Sequence, residues 1–225
     1  RLIEAFRKHC PNARFYNACT SEMYGLVKEV PQTELTPFHP RSPYGVAKLY
    51  SFWICKNYRE AYGLHISNGI LFNHEGERRG ETFVTRKITL ALSKIKKYMD
   101  EGRKDFPKLV LGNLYAKRDW GYAGDYVEAM WRILQNNTAE DYLICSGRVT
   151  SLQTLIETIL TKLDLDFDKT IQIDPQLFRP VDLEIIYGDN TKAKQQLGWD
   201  YNLNTHQLID QLIIDETQFI EWELN

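Results

Sequence analysis

The chain has 225 residues, of which 43% are hydrophobic, and its 28 Lys and Arg against 30 Asp and Glu give a formal net charge of −2. These ordinary values exclude a disordered, collagen-like or coiled-coil protein. The near-neutral charge also argues against nucleic acid as a partner, because binding to phosphates needs an excess of basic residues. No apolar run approaches the ~20 residues that a membrane-spanning helix needs, so no membrane association is expected.

The first third of the chain predicts an alternation of helices and strands. The predicted elements are a helix that includes residues 2–8, a strand over 13–21, a helix over 43–62 and a strand over 65–73. Ser42 and Pro43 suit the N-cap and the first position of the second helix, and Gly63 suits the residue after its end. Such an alternation is typical of a parallel sheet with helical crossover connections.

Beyond residue 73 the pattern becomes less regular. Residues 74–81 are polar and contain glycine, which predicts a loop. The later predicted elements are a helix over 81–99, a strand over 108–112, a helix over 125–135, a strand over 142–145, and helices over 150–163, 189–197 and 205–221. Thr150 or Ser151 is the candidate cap of the helix that ends at 163. We therefore predict an α/β protein in two parts, with part of a doubly wound parallel sheet in residues 1–73 and a smaller mixed α/β lobe, with elements returning to the sheet, in residues 74–225.

The cysteines and histidines show no spacing typical of a metal site, and we predict no metal. The four cysteines are widely and irregularly spaced, which fits free thiols in a reducing compartment better than a disulfide framework. They are Cys10, Cys19, Cys55 and Cys145. We therefore expect the protein in the cytoplasm.

Tyr44 and Lys48 are the first candidates for chemistry. A helix that begins at Pro43 places them one turn apart on the same face. A nearby ammonium stabilises a phenolate and lowers the pKa of a tyrosine from its usual ~10, so that the phenolate can accept a proton from a substrate hydroxyl. The alternative is a packed aromatic ring beside a lysine whose stem covers apolar surface.

Thr20 and Glu22 are the second candidate pair. They follow the predicted strand, and the alternation of a strand would turn both side chains in the same direction. The carboxyl ends of parallel strands are where α/β sheets bind ligands. Glu22 is therefore a candidate general acid or base, with Thr20 as a hydrogen-bond partner. The alternative is a solvated glutamate in a turn.

Several segments together carry a resemblance to a known family. They are TSEMYG (20–25), PRSPYGVAKLY (40–50), GILFNHE (69–75), RRGETFVTRKI (78–88), LGNLYAKRDWG (111–121) and GDNTKAKQQLGW (188–199). In this order they resemble the GDP-mannose 4,6-dehydratase family of the extended short-chain dehydrogenases/reductases, from about residue 14 to residue 199. The resemblance implies that residues 1–73 are the C-terminal portion of an NADP-binding Rossmann-type domain and that the lobe binds a sugar nucleotide.

The resemblance also implies a lyase activity, and Thr20, Glu22, Tyr44 and Lys48 match the family's catalytic set. Tyr44 would take the proton of the mannose 4-hydroxyl while a hydride leaves C4 for NADP⁺, and Lys48 would assist it and contact the cofactor. Glu22 would then remove the acidified C5 proton as water leaves C6, and the hydride would return to C6. The product would be GDP-4-keto-6-deoxy-D-mannose, an intermediate of GDP-fucose and other deoxysugars.

Binding residues follow from the same resemblance. His74 and Arg79, with Tyr44 and Lys48, would contact NADP. The residues that would contact the substrate, GDP-mannose, are Asn73, Lys87, Arg118, Arg179, Asp182 and Glu184. Each arginine could instead form an ordinary surface ion pair. The family likeness further implies a homo-oligomer, either a dimer or a tetramer.

The sequence departs from the family in its glycines. No glycine-rich turn that would approach a cofactor pyrophosphate follows a strand, and the chain begins at Arg1 inside a helical pattern. We therefore expect that an N-terminal part of the family's sheet domain is absent, and that this chain alone binds NADP poorly. Two alternatives stay open: another sugar-nucleotide epimerase or reductase, or a catalytically incompetent fragment. Glu22 distinguishes a dehydratase from an epimerase or reductase, because elimination needs a base for the C5 proton.

Overall fold

The computed structural model describes residues 1–178 and 185–223, with side chains up to residue 220. Its helices are α1 (Leu2–His9), α2 (Pro43–Tyr62), α3 (Val84–Asp100), α4 (Ala123–Gln135), α5 (Leu152–Leu163), α6 (Phe167–Thr170), α7 (Thr191–Leu197) and α8 (Thr205–Glu223). Its strands are β1 (Phe15–Thr20), β2 (Ile66–Leu71), β3 (Asn73–Glu75), β4 (Leu109–Leu111), β5 (Lys117–Arg118), β6 (Trp120–Tyr122), β7 (Asp141–Ile144), β8 (Thr150–Ser151), β9 (Ile171–Ile173) and β10 (Ile185–Ile186). Short 3₁₀ helices cover Ser21–Met23 and Pro175–Leu177. None of the helices in these ranges is long and apolar enough to cross a membrane.

A parallel sheet with helices on both faces combines β1 and β2 from the first part of the chain with β7 from the later part. Its strand order is β1-β2-β7, with every pair parallel. Ile66 of β2 packs with Cys55 of α2 on one face, and Leu71 of β2 packs with Ile133 of α4 on the other. β2 is consequently buried along its whole length. This arrangement confirms the predicted doubly wound α/β sheet.

The strands of this sheet end together at one edge. The register places Thr20 of β1 opposite Leu71 of β2, and Leu71 opposite Ile144 of β7. The segments that follow these three strands therefore leave the sheet side by side. Such a carboxyl edge is the usual ligand-binding place of an open α/β sheet.

The smaller lobe has its own hydrophobic core between α3, α5 and α8. Leu92, Ile156 and Ile209, one from each helix, are fully buried in it. Two ladders flank these helices, β4 with β9 and β10-β5-β8. A third ladder, β3 with β6, begins two residues after β2 ends and so joins the lobe to the carboxyl edge of the sheet.

The long predicted elements are confirmed with their caps. α2 spans 43–62 as predicted, Ser42 caps its start, and Gly63 adopts a left-handed backbone at its end. Of the two candidate caps of α5, Ser151 is the cap, because its side chain accepts the N–H of Thr154. These signals are local, so the sequence contains them without knowledge of the tertiary structure.

Two boundary predictions are wrong. The first two residues of the predicted loop 74–81, His74 and Glu75, lie in β3, because a strand of three residues is too short to show alternation. α3 begins at Val84 rather than at residue 81. The segment before it folds into a turn in which the N–H of Phe83 donates to the carbonyl of Gly80 at 3.0 Å.

Candidate active site

A cavity of about 1150 Å³ lies at the carboxyl edge of the parallel sheet, between the sheet and the smaller lobe. The predicted site residues that line it are Thr20, Glu22, Tyr44, Lys48, Asn73, His74, Arg79, Lys87 and Arg118. The other predicted site residues, Arg179, Asp182 and Glu184, lie outside the described residues. Small-molecule sites usually measure roughly 300–1,000 Å³, so this cavity is large enough for a small-molecule ligand.

The first turn of α2 carries Tyr44 and Lys48 to the cavity. The N–H of Gly45 donates to the Ser42 side chain at 3.0 Å, which fixes the start of the helix. Lys48 Nζ lies 5.9 Å from the centroid of the Tyr44 ring, as expected for residues one turn apart. It also donates to the carbonyl of Ala18 at 2.8 Å. The Tyr44 side chain is 53% exposed, so its phenol is open to a ligand in the cavity.

Glu22 reaches the cavity through a local structure that the strand pattern did not predict. The strand ends at Thr20, and the chain then turns into the 3₁₀ helix Ser21–Met23. Thr20 caps this helix, because its hydroxyl oxygen accepts the N–H of Glu22 at 3.3 Å. The argument from strand alternation was therefore wrong for Glu22, although both side chains line the cavity.

Ser42 links the start of α2 to Glu22. Its hydroxyl donates to Glu22 Oε2 at 3.1 Å while it caps α2. Gly45 permits this close approach, since a Cβ there would lie 2.8 Å from the carbonyl oxygen of Glu22. The sequence indicated the capping role of Ser42 but not its contact with Glu22, because that contact joins residues twenty positions apart.

β3 places Asn73 and His74 along another part of the cavity wall, with Asn73 opposite Trp120 of β6. His74 Nδ1 lies 2.8 Å from the carbonyl oxygen of Phe72. Because a carbonyl oxygen can only accept, Nδ1 carries the proton. The ring also stacks on Tyr126, with 5.3 Å between the centroids. Burial lowers the pKa of His74, so the ring is neutral near pH 7 and Nε2 is an acceptor.

Arg79 is paired within the protein. Its Nε lies 3.2 Å from Glu75 Oε2, and its guanidinium carbon lies 3.9 Å from the centroid of the Phe83 ring. Burial raises the pKa of Glu75, while Arg79 favours its ionised form. This pairing fixes the guanidinium beside the cavity and compensates a buried carboxylate, two roles that the sequence did not indicate.

Cationic side chains outnumber carboxylates around the cavity. The cations are Arg41, Lys48, Arg79, Lys87 and Arg118, and the carboxylates are Glu22 and Glu75. Lys87 Nζ donates to the carbonyl of Val110 at 3.0 Å, and Arg118 Nη1 donates to that of Lys117 at 2.8 Å. Arg41 was not predicted, and its place directly before the N-cap of α2 is the signal that could have found it. The excess of positive charge suits an anionic ligand such as a diphosphate.

Arg86 fastens a loop beside the cavity to α8. It donates to the carbonyl oxygens of Glu77 and Arg79, the second at 2.8 Å. Its Nε lies 3.1 Å from Glu216 Oε1, and both Arg86 and Glu216 are buried. A buried ion pair with further hydrogen bonds holds its elements in one geometry.

Asp119 is a further buried carboxylate, between Arg118 and Trp120 of the cavity wall, and we expect it to make stability pH-dependent. Burial raises the pKa of Asp119 from 3.8 to about 6. Between these values the folded protein binds a proton more readily than the unfolded chain, so this group's contribution to the free energy of unfolding falls as the pH rises. The expected loss is about 3 kcal/mol across that window.

Urea unfolding of the protein and of its Asp119→Asn variant at a series of pH values measures this effect. The stability of the unsubstituted protein relative to the variant is expected to decrease as the pH rises through the window. A constant difference would contradict the raised pKa of Asp119.

Comparisons with known proteins identify relatives over nearly the whole chain. A sequence model of the GDP-mannose 4,6 dehydratase family matches residues 1–212. A GDP-mannose 4,6-dehydratase of Sinorhizobium fredii is 42% identical, over 98% of this chain and 66% of that protein. A GDP-mannose 4,6 dehydratase of Drosophila melanogaster is 43% identical, over 95% of this chain and 57% of that protein. The chain thus spans between 57% and 66% of the length of these two relatives.

Solved structures share the fold at lower identity. The structure of RMD from Pseudomonas aeruginosa complexed with NADPH is 23% identical with a TM-score of 0.86, over 97% of this chain and 71% of that chain. A dTDP-glucose 4,6-dehydratase from Bacillus anthracis in complex with NAD is also 23% identical, with a TM-score of 0.83, over 98% of this chain and 67% of that chain.

Proposed function

This chain belongs to the GDP-mannose 4,6-dehydratase family, and we propose that the protein is an NADP-dependent hydro-lyase that converts GDP-α-D-mannose into GDP-4-keto-6-deoxy-D-mannose. The observation that carries the proposal is a phenol, an ammonium and a separate carboxylate in one cavity, from Tyr44, Lys48 and Glu22. The reaction oxidises C4, eliminates water across C5 and C6, and reduces C6. It therefore needs two proton-transfer groups of different kinds.

Tyr44 is the proposed base of the first proton transfer. As a phenolate, Tyr44 would accept the proton of the mannose 4-hydroxyl as C4 becomes a ketone. Lys48 lies one helical turn away, with its Nζ 5.9 Å from the centroid of the Tyr44 ring. Its hydrogen bond to the carbonyl of Ala18 keeps the ammonium at the carboxyl end of β1.

Glu22 is the proposed base of the second proton transfer. A ketone at C4 acidifies the C5–H bond, so the Glu22 carboxylate can remove that proton and pass it to the C6 hydroxyl, which then departs as water. Thr20 orients the backbone of Glu22, and Ser42 orients its carboxylate. When the hydride returns to C6, C5 receives a proton that originates in the solvent and replaces the one that Glu22 removed.

NADP is the cofactor that we propose. When bound, it takes up the hydride from C4 and returns it to C6, so it ends in its starting form. Tyr44, Lys48, His74 and Arg79 would hold it at the carboxyl edge of the sheet. The residues present fit this group in two respects: cations exceed carboxylates around the cavity, and the volume of about 1150 Å³ is large enough for a small-molecule ligand.

GDP-mannose is the substrate that we propose. Asn73, Lys87 and Arg118 line the cavity and would meet its sugar and diphosphate. A guanidinium suits a diphosphate because it donates in a planar fork, and an ammonium supplies a compact charge. The further contacts that we propose fall on Arg179, Asp182 and Glu184, outside the described residues.

The position of Glu22 favours elimination over the alternative enzymes. A C4 epimerase or a reductase would use Tyr44 and Lys48 in the same way but would need no base for a C5 proton. A carboxylate hydrogen-bonded to the N-cap of the helix that carries the phenol meets the additional need of a dehydratase. The fragment alternative predicts that the chain, which spans 66% or less of these relatives, does not turn over.

We further propose that the protein acts in the cytoplasm in nucleotide-sugar metabolism, as a homo-oligomeric dimer or tetramer. In this proposal residues 1–73 contribute to cofactor binding and residues 74–225 chiefly to substrate binding. The free thiols support a reducing compartment; they are Cys10, Cys19, Cys55 and Cys145.

Incubation of the protein with GDP-mannose and NADP⁺ in D₂O tests the proposal. We expect a 4-keto product that has lost one water, carries deuterium at C5 and carries at C6 the hydrogen that began at C4. Mass spectrometry and proton NMR of the product measure all three. An epimer that retains its oxygen would indicate an epimerase, and recovery of unchanged GDP-mannose would favour the incompetent fragment.

A further inference from the structure

Asp119 lies between two residues of the cavity wall. Arg118, the last residue of β5, and Trp120, the first residue of β6, both line the cavity. Alternate residues of an extended segment face the same side, so Asp119 points away from the cavity. Its side chain is buried in the protein, with 0% exposure.

Both oxygens of this carboxylate accept backbone N–H groups from other segments. Oδ1 accepts the N–H of Ser146 at 2.7 Å, and Oδ2 accepts those of Gly147 at 3.0 Å and Gly188 at 3.5 Å. The N–H of Asp119 itself donates to the carbonyl of Ile186 at 3.1 Å. A carboxylate with several such partners fixes their geometry and that of its own segment.

The segments that Asp119 joins belong to different parts of the fold. Ser146 and Gly147 follow β7, at the carboxyl edge of the main sheet, and Gly188 follows β10, which pairs with β5 in the lobe. On the other side of Asp119, β6 pairs with β3, which carries Asn73 and His74. Asp119 therefore lies where the main sheet and two ladders of the lobe meet.

We propose that Asp119 is a positioning residue that fastens Arg118 and Trp120 to the main sheet and thereby sets the cavity for a nucleoside diphosphate. The class of ligand rests on the proposed function, and Asp119 does not touch the ligand. An asparagine here keeps only one of the two acceptor oxygens, so either the N–H of Ser146 or those of Gly147 and Gly188 lose their acceptor, and the wall segment is held less firmly to the end of β7. Arg118 then no longer has one fixed place from which to meet an anion.

The test compares Asp119→Asn and Asp119→Glu with the control Asp141→Asn. Asp141 lies at the opposite end of β7, where its Oδ1 is 2.9 Å from Arg59 Nη1, and it does not line the cavity. The control therefore removes a largely buried carboxylate from β7, the strand that leads to Ser146 and Gly147, without removing any hydrogen bond of Asp119. Amide hydrogen exchange at Ser146 and Gly147 measures how firmly these N–H groups are bound to Asp119. Calorimetric titration measures the affinity of the cavity for GDP.

We expect faster exchange in Asp119→Asn at whichever of the two amides loses its acceptor, with GDP bound about tenfold to a hundredfold more weakly. With GDP-mannose, KM is expected to rise more than kcat falls. Asp119→Glu keeps the carboxylate, so its amide exchange rates and its affinity for GDP are expected to lie between those of the unsubstituted protein and of Asp119→Asn. It therefore tests the proposal even if Asp119→Asn does not fold. The control is expected to lose stability and to bind GDP normally.

Unchanged amide exchange in both Asp119 variants would show that Asp119 does not fasten the wall segment to the end of β7. Faster exchange with unchanged GDP affinity, equal weakening in the control, or no GDP binding by the unsubstituted protein would overturn the positioning role. The expected exchange and GDP results without any dehydration of GDP-mannose would reject the proposed function and leave the inference standing.

Discussion

Replacing Tyr44 with phenylalanine is expected to lower kcat for the dehydration of GDP-mannose by between about a hundredfold and ten-thousandfold, the usual range for a general base. The change removes one oxygen from a side chain that is 53% exposed, so the fold should be unaffected. Ser42 still caps α2, and Lys48 still donates to Ala18. Steady-state kinetics with GDP-mannose and NADP⁺ measure the loss.

Tyr50→Phe is the matched control for this prediction. Tyr50 lies on the same helix, is 69% exposed, and does not line the cavity. Its kcat is expected to equal that of the unsubstituted protein. An unchanged rate in Tyr44→Phe would show that the Tyr44 phenol only packs and takes no part in proton transfer.

Glu22→Gln is expected to stop the reaction at elimination, with formation of the 4-keto-6-deoxy product reduced by a similar factor of about a hundredfold or more. Glutamine has nearly the same shape and keeps an oxygen that can accept from Ser42, so the site should retain its geometry. The affinity for NADP⁺ is expected to equal that of the unsubstituted protein, whatever its strength, because Glu22 acts only on the C5 proton. Product analysis by mass spectrometry and titration with NADP⁺ measure the two effects separately.

The control for Glu22→Gln is Glu101→Gln, which removes an exposed carboxylate at the end of α3, away from the cavity lining. It is expected to turn over normally. If Glu22→Gln also turned over normally, Glu22 would not be the base for C5, and the epimerase or reductase alternative would gain support.

The features of the site that the sequence predicted depend on neighbouring residues. Ser42, Pro43 and Gly63 define α2, and the helical spacing then places Tyr44 and Lys48 on one face. The alternation of helices and strands predicted the parallel sheet, because each element is long enough to show its period. The resemblance to a family added the roles of these residues, which spacing alone left open.

The features that the sequence did not predict arise from contacts between distant residues. The turn at Glu22 was given only as the alternative, because Thr20 ends the strand by capping the next turn and nothing in the strand pattern signals this. Asp119 was not among the predicted site residues, because its partners at Ser146 and Gly147 lie 27 and 28 positions further along the chain. Hydrophobic periodicity contains no information on such polar contacts, so only the tertiary structure reveals them.

The attachment of Arg86 to Glu216 has a practical consequence for work on this protein. α8 is remote in sequence from Tyr44, yet through Arg86 it supports the loop at Glu77 and Arg79 beside the cavity. Shortened variants that end within this helix, or fusion partners that disturb it, would therefore alter measured affinities without changing any residue that touches substrate. Binding constants should be compared only between preparations that share the same intact C-terminal helix.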